Sequence, residues 1–164
     1  MPEPEGSLPE IYVQPGGSHL VTQPALMKTL LGSCVGITFW APRLGLAALC
    51  HPMLPHCPAH QLDRISAAAG RRYVDYAIRD LAKQLDAYGA HRGKVHVKLF
   101  GGCDVLPVPS KSSRATVGRL NYEMALRVLE KEGFKVRASC LGGNSGITIL
   151  FNTTSGEVLL KRLC

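Results

Sequence analysis

The chain has 164 residues, 46% of them apolar and 19% charged. That length suits one domain of about 100–200 residues, and the apolar share excludes a disordered chain, which lacks the surface that offsets ordering entropy. No apolar run approaches the roughly 20 residues that cross a bilayer. The opening MPEPEGSLPE is acidic and proline-rich where a secretory leader would be basic and then apolar, so a cytoplasmic location without membrane insertion is expected. The net charge of +7 favours acidic surroundings. Its basic residues are dispersed with few aromatics between them, so a solvated basic face is expected and no nucleic-acid partner. Cysteines at 34, 50, 57, 103, 140 and 164 form no CxxC pair, and in the absence of a leader they are expected to be free thiols.

In chain order, residues 1–17 are proline-rich and end in Pro15-Gly16-Gly17, which reads as a flexible N-terminal arm with a short strand at 11–14. Residues 18–164 then form the single domain, starting with an extended piece at 19–23 that Pro24 stops. Residues 35–40 are β-branched and aromatic, residues 41–44 offer a turn with Pro42 in second position, and residues 45–51 are apolar again, which predicts a β-hairpin. A turn centred between Pro42 and Arg43 sets Val35 opposite Cys50, Ile37 opposite Ala48 and Phe39 opposite Leu46 on an apolar core face. The other face pairs Thr38 with Ala47, Gly36 with Leu49, and Cys34 with His51.

Prolines at 52, 55 and 58 make the next stretch a loop. A helix is predicted over 67–88, with Tyr73, Ala77, Leu81, Leu85 and Tyr88 as its stripe and Gly89 as its left-handed stop. Residues 94–100 alternate as a half-buried strand ended by Gly101-Gly102, and residues 106–114 read as loop. Thr116 caps a second helix through Glu132, with Leu120, Met124 and Val128 on its apolar side and Gly133 beyond it. Strands follow at 134–140, 147–152 and 158–163, the last two flanking a hairpin loop. The expected class is α+β.

The Cys34–His51 pairing is the sharpest chemical signal. An imidazole within reach of a thiol can take its proton and leave a nucleophilic thiolate. The small residues Gly32-Ser33 allow a substrate to approach and offer N–H groups near Ser33 and Val35 for an oxyanion. The alternative is a small core cysteine and a structural strand-end histidine, since a one-residue slip in register separates the pair. Cys50, His51, His56, Cys57 and His60 form a rival cluster of zinc-type ligands, but adjacent strand residues face opposite ways and no four-ligand spacing matches a closed site. No metal is expected. The glycines at 101–102 and at 142–146 lack the strand–loop–helix setting and the lysine of a phosphate loop, so no cofactor is expected.

Thr29-Leu30-Leu31-Gly32-Ser33-Cys34-Val35, followed by a hairpin and by His51-Pro52-Met53-Leu54-Pro55, resembles the TLLGSCV and HxMLP signatures of the CheD family of chemoreceptor glutamine deamidases. The likeness continues through Tyr73-Val74-Asp75-Tyr76-Ala77-Ile78, Lys98-Leu99-Phe100-Gly101-Gly102, Gly118-Arg119-Leu120-Asn121 and Leu141-Gly142-Gly143-Asn144, spanning about residues 10–163. It implies a β-sandwich-like core of mixed and antiparallel strands with helices packed outside. It also implies a cysteine hydrolase that converts glutamines of methyl-accepting chemoreceptor cytoplasmic domains to glutamate with release of ammonia. By position, Cys34 becomes the nucleophile, His51 the base and Thr29 the third member that orients the imidazole; a slip of one would put Lys28 there instead. The family also binds the CheC phosphatase, so a non-catalytic partner role is the alternative. Two departures stand out: no arginine follows the Gly-Gly-Asn turn, and Cys103 replaces a small residue after the first glycine pair. Residues 52–60 and 107–114 are candidate docking loops.

Overall fold

The computed structural model describes residues 6–106 and 115–163; most of the predicted 106–114 loop and the start of the arm lie outside them. The strands are β1 (Glu10–Tyr12), β2 (Ser18–Val21), β3 (Leu26–Leu31), β4 (Val35–Ala41), β5 (Leu46–Cys50), β6 (His96–Gly101), β7 (Val136–Leu141), β8 (Ile147–Asn152) and β9 (Val158–Arg162). The α-helices are α1 (Ala67–Gly70), α2 (Val74–Ala87) and α3 (Val117–Lys131). A five-stranded sheet runs β2-β5-β4-β6-β7 and a four-stranded sheet β1-β3-β8-β9. Each carries one parallel pair, β6–β7 and β1–β3, among antiparallel ones.

Three layers result. One face of the five-stranded sheet, with Val35, Ile37 and Phe39, packs on Ala77, Ile78, Leu81 and Leu85 of α2 and on Ala125 and Leu129 of α3. Its other face, with Ala47, Leu49 and Phe100, meets Met27, Leu31, Ile149 and Phe151 of the four-stranded sheet. The α+β class with a sandwich-like core and outer helices therefore holds. Burial on both faces explains why β4 and β5 are almost wholly apolar rather than alternating.

The hairpin exists, but its register differs from the prediction. Ile37 pairs with Cys50, Thr38 with Leu49 and Phe39 with Ala48. A single 3₁₀ turn over Pro42–Leu44 reverses the chain, closed by Gly45 at φ 63° donating to the Pro42 carbonyl at 3.3 Å. That longer turn moves each partner by two residues. Because strands repeat every two residues, every side chain keeps its predicted face; Cys34, however, is no longer directly opposite His51.

Three further expectations need correction. The helix predicted over 67–88 breaks at Tyr73, whose extended backbone pairs with Leu54, while the Val74 N–H donates to the Leu54 carbonyl at 2.8 Å. On α3, Leu120 is 41% exposed and the buried face is Gly118, Asn121, Ala125, Val128 and Leu129. The arm is not loose from Glu10 onward, since β1 pairs with β3, Val13 is fully buried and Gly16 and Gly17 bond to the backbone of His51.

Phe39 is fully buried and meets Phe134 edge-on at 5.3 Å between ring centroids. Phe39→Ala is expected to lower unfolding stability by about 3–5 kcal/mol, read as a shift of the urea midpoint.

Candidate active site

Cys34, His51 and Thr29 come from three different positions in this framework. β3 alternates buried and partly exposed residues, so Thr29 points inward with Met27 and Leu31. His51 follows β5 on the face that Ala47 and Leu49 give to the space between the sheets. Cys34 ends the turn between β3 and β4 and packs against the same inter-sheet cluster. Extending the observed register, Gly36 lies opposite His51, and Val35 donates to the carbonyl of Pro52 at 3.3 Å. Cys34 and His51 are thus diagonal neighbours on one face, a relation that spans about 7–8 Å between backbones and stays within reach of longer side chains.

The Thr29 hydroxyl lies 2.7 Å from His51 Nδ1 and donates its proton to the Val13 carbonyl, also at 2.7 Å. A hydroxyl has one proton to give. With that proton on Val13, the short contact requires Nδ1–H to donate to Thr29 Oγ1. The neutral ring therefore carries its proton on Nδ1 and its lone pair on Nε2. Both side chains are essentially buried, Thr29 at 0% and His51 at 1% exposure. The His51 backbone is held as well, its carbonyl accepting from Gly16 N–H at 2.7 Å and its N–H donating to Gly17 at 2.9 Å. Lys28, the alternative third member, alternates to the other face of β3.

The turn carrying Cys34 is fixed by its carbonyls. Gly32 accepts from Cys103 N–H at 2.8 Å, Cys34 accepts from Gly102 N–H at 2.9 Å, and Ser33 accepts from the Asn121 side-chain amide at 2.9 Å. In a planar trans peptide the C=O and the following N–H point in opposite directions, so these three bonds aim the N–H groups of Ser33, Cys34 and Val35 away from their holders. The Val35 N–H is taken by Pro52, which corrects its expected place as an oxyanion donor. Among the described residues the Ser33 and Cys34 N–H groups donate to no backbone carbonyl, and the Cys34 N–H faces its own sulfur. Gly101, at φ 99°, sits so close that a Cβ would strike the Cys34 carbonyl.

Burial pushes the Cys34 thiol above its ordinary range, partly offset by its own backbone N–H. Burial pulls His51 down from 6.5 to about 4, against a smaller opposing effect of the Val13 carbonyl. The resting pair at neutral pH is a thiol beside a neutral imidazole. In chemical terms the arrangement offers a sulfur nucleophile, an unblocked imidazole lone pair and two backbone donors.

The zinc-type cluster does not assemble. Cys50 faces the helices while His51 faces the other sheet, and His56 Nδ1 is 2.6 Å from Asp75 Oδ2. Among the described residues, no group of three His, Cys, Asp or Glu side chains is placed to hold a metal. No described helix is long and apolar enough to cross a membrane. Two contributors escaped the sequence reading. Asn121 was hidden by the assumption that Leu120 faced the core, and Val13 by the assignment of its segment to a loose arm.

A family model described as CheD chemotactic sensory transduction matches residues 53–162. A protein of Geobacter sulfurreducens named "Probable chemoreceptor glutamine deamidase CheD 2" is 39% identical over 95% of this chain and 91% of its own length. A protein of Maridesulfovibrio salexigens named "Probable chemoreceptor glutamine deamidase CheD" is 33% identical over 99% and 97% respectively. Among solved structures, YlmD from Geobacillus stearothermophilus has a similar fold, with a TM-score of 0.50 at 15% identity over 76% of this chain and 50% of that one. With a match across most of the chain to the family model and full-length relatives above 30% identity, the chain belongs to the CheD family.

Proposed function

We propose that this protein is a glutamine deamidase acting on the cytoplasmic domains of methyl-accepting chemoreceptors, with Cys34 as nucleophile, His51 as base and Thr29 as the residue that orients the imidazole. The Thr29–His51 bond supports this reading most directly. It fixes the tautomer with a free lone pair on Nε2, the arrangement that a third member secures in other nucleophile–base sites. The names of the relatives supply the substrate class, and a net charge of +7 suits an acidic partner. Catalytic hydrogen bonds are commonly long before substrate binds and tighten in the complex, as the diagonal placement of Cys34 and His51 requires.

In this mechanism His51 Nε2 takes the Cys34 proton as Sγ attacks the carboxamide carbon, and the carbonyl oxygen becomes an oxyanion facing the N–H groups of Ser33 and Cys34. The imidazolium returns its proton to the departing nitrogen, the C–N bond breaks and ammonia leaves a thioester. Water, deprotonated by the same Nε2, attacks the thioester carbon; the C–S bond breaks, the thiol is re-formed, and glutamate remains. The growing charge on the ring is stabilised by the chain Nδ1–H to Thr29 Oγ1 to the Val13 carbonyl.

Incubation of purified receptor cytoplasmic fragments with the wild-type chain is expected to release ammonia and to convert specific glutamines to glutamate by mass spectrometry. Cys34→Ala should abolish both while unfolding cooperatively. Conversion that survives Cys34→Ala would overturn the assignment of the nucleophile.

Thr29→Val removes the acceptor for Nδ1–H and leaves a buried donor unpaired, so kcat is expected to fall about tenfold or more with KM little changed. An unchanged kcat in a folded variant would remove Thr29 from the site.

The depressed His51 value has two readouts. The base stays neutral well below the ordinary range, so kcat/KM should hold down the acid side and fall with a midpoint near pH 4. Stability moves in the same direction. Between 6.5 and about 4 the unfolded chain binds a proton that the native ring refuses, so stability falls as pH drops through that window. About 2 kcal/mol of that loss falls between pH 7 and pH 5, and His51→Asn should flatten it in urea melts at those two pH values.

A further inference from the structure

Asn121 occupies a place where an apolar residue would be easier to bury. It is 0% exposed on the face of α3 that otherwise presents Gly118, Ala125, Val128 and Leu129. Its Nδ2 donates to the Ser33 carbonyl and to the Met53 carbonyl, both at 2.9 Å. Two carbonyl partners fix which end of the amide is the NH₂ group. The Oδ1 atom is buried without a partner among the described residues, so half of the amide is desolvated with no return. Packing does not account for that choice; the two bonds do.

The Ser33 carbonyl belongs to the same peptide unit as the Cys34 N–H, so a donor that holds the one sets the direction of the other. The neighbouring units are held by backbone groups, Cys103 N–H on Gly32 and Gly102 N–H on Cys34. The peptide between Ser33 and Cys34 is the one held by a side chain. The second bond ties that side chain to Met53, two residues beyond His51. Resting on the reading of Cys34 as nucleophile, we propose that Asn121 is the positioning residue of the oxyanion site, orienting the Cys34 N–H and locking the nucleophile turn to the segment that carries the base.

Two small probes of Cys34 separate this role from general disruption and need no receptor. With p-nitrophenyl acetate, His51 takes the thiol proton as Sγ attacks the ester carbon, an oxyanion forms, the C–O bond breaks and p-nitrophenolate leaves an acetyl thioester. With iodoacetamide, Sγ gives up its proton in the same way and displaces iodide at a saturated carbon, and no oxyanion forms. Both adducts are followed at Cys34 by mass spectrometry in the full chain. In Asn121→Ala the acylation rate is expected to fall about tenfold or more while alkylation stays within about twofold. Asn121→Ser, which retains one donor, should lie between, and with receptor fragments kcat should fall while KM holds.

An unchanged acylation rate in a folded variant, or acylation and alkylation falling together, overturns the proposal. If Asn121→Ala, Asn121→Ser and the isosteric Asn121→Asp all lose cooperative unfolding, Asn121 is a folding residue and the proposal is likewise overturned. A wild-type chain that is alkylated but never acylated removes the oxyanion site itself. One that is acylated at Cys34 yet releases no ammonia from receptor fragments refutes the deamidase reading and leaves the Asn121 comparison standing.

Discussion

Thr29 can donate only one proton, and much of the site follows from where it goes. Because the Val13 carbonyl takes it, the imidazole must supply its own Nδ1–H, and Nε2 is left as the basic atom. This arrangement needs both sheets at once. Thr29 projects from the four-stranded sheet and His51 from the end of a strand in the five-stranded one, so their bond crosses the inter-sheet space. It also needs the N-terminal segment, whose Val13 caps the threonine and whose Gly16 and Gly17 clamp the histidine backbone. Burial serves the same end, since a hydroxyl–imidazole bond open to water would exchange its partners freely.

Much of the framework was legible because hydrophobic periodicity survives errors of register. Alternation alone puts Val35, Ile37 and Phe39 on the core face of the hairpin, and they lie there although the strand partners are two residues from those expected. The error came from the turn: a 3₁₀ segment closed by a left-handed Gly45 uses more chain than the two-residue reversal that the proline suggested. A shift of two preserves the alternation, so Cys34 and His51 still share a face. What stayed hidden depended on tertiary contact. The apolar stripe runs on from Ala67 past Tyr73, but α1 ends at Gly70, a weak helix former, and Tyr73 is drawn into pairing with Leu54. Leu120 and Asn121 differ by one step around a helix, and a rule that sends leucine inward chooses the wrong one when a carbonyl pair is waiting for an amide.

The resting electrostatics distinguish this site from one that holds a permanent thiolate. Burial raises the thiol and lowers the imidazole, so each disfavours its own charged form before substrate arrives. In the proposed reaction, ion formation is thereby coupled to the substrate, whose carboxamide supplies the oxyanion for the backbone N–H groups. On that proposal, charge is stabilised where and when the reaction develops it.

Sheet topology also has a kinetic consequence. The hairpin that brings Cys34 near His51 is local in sequence and can form early, but β3 finds its ordered place between β1 and β8, more than a hundred residues further along the chain. Pairings of such high contact order form slowly and close long loops. During synthesis Cys34 and His51 therefore emerge and are joined by the hairpin before β3, which carries Thr29, has β8 beside it. A chain stalled short of β8 would hold Cys34 and His51 in one hairpin while the Thr29–His51 bond lacked half of the sheet that supports it.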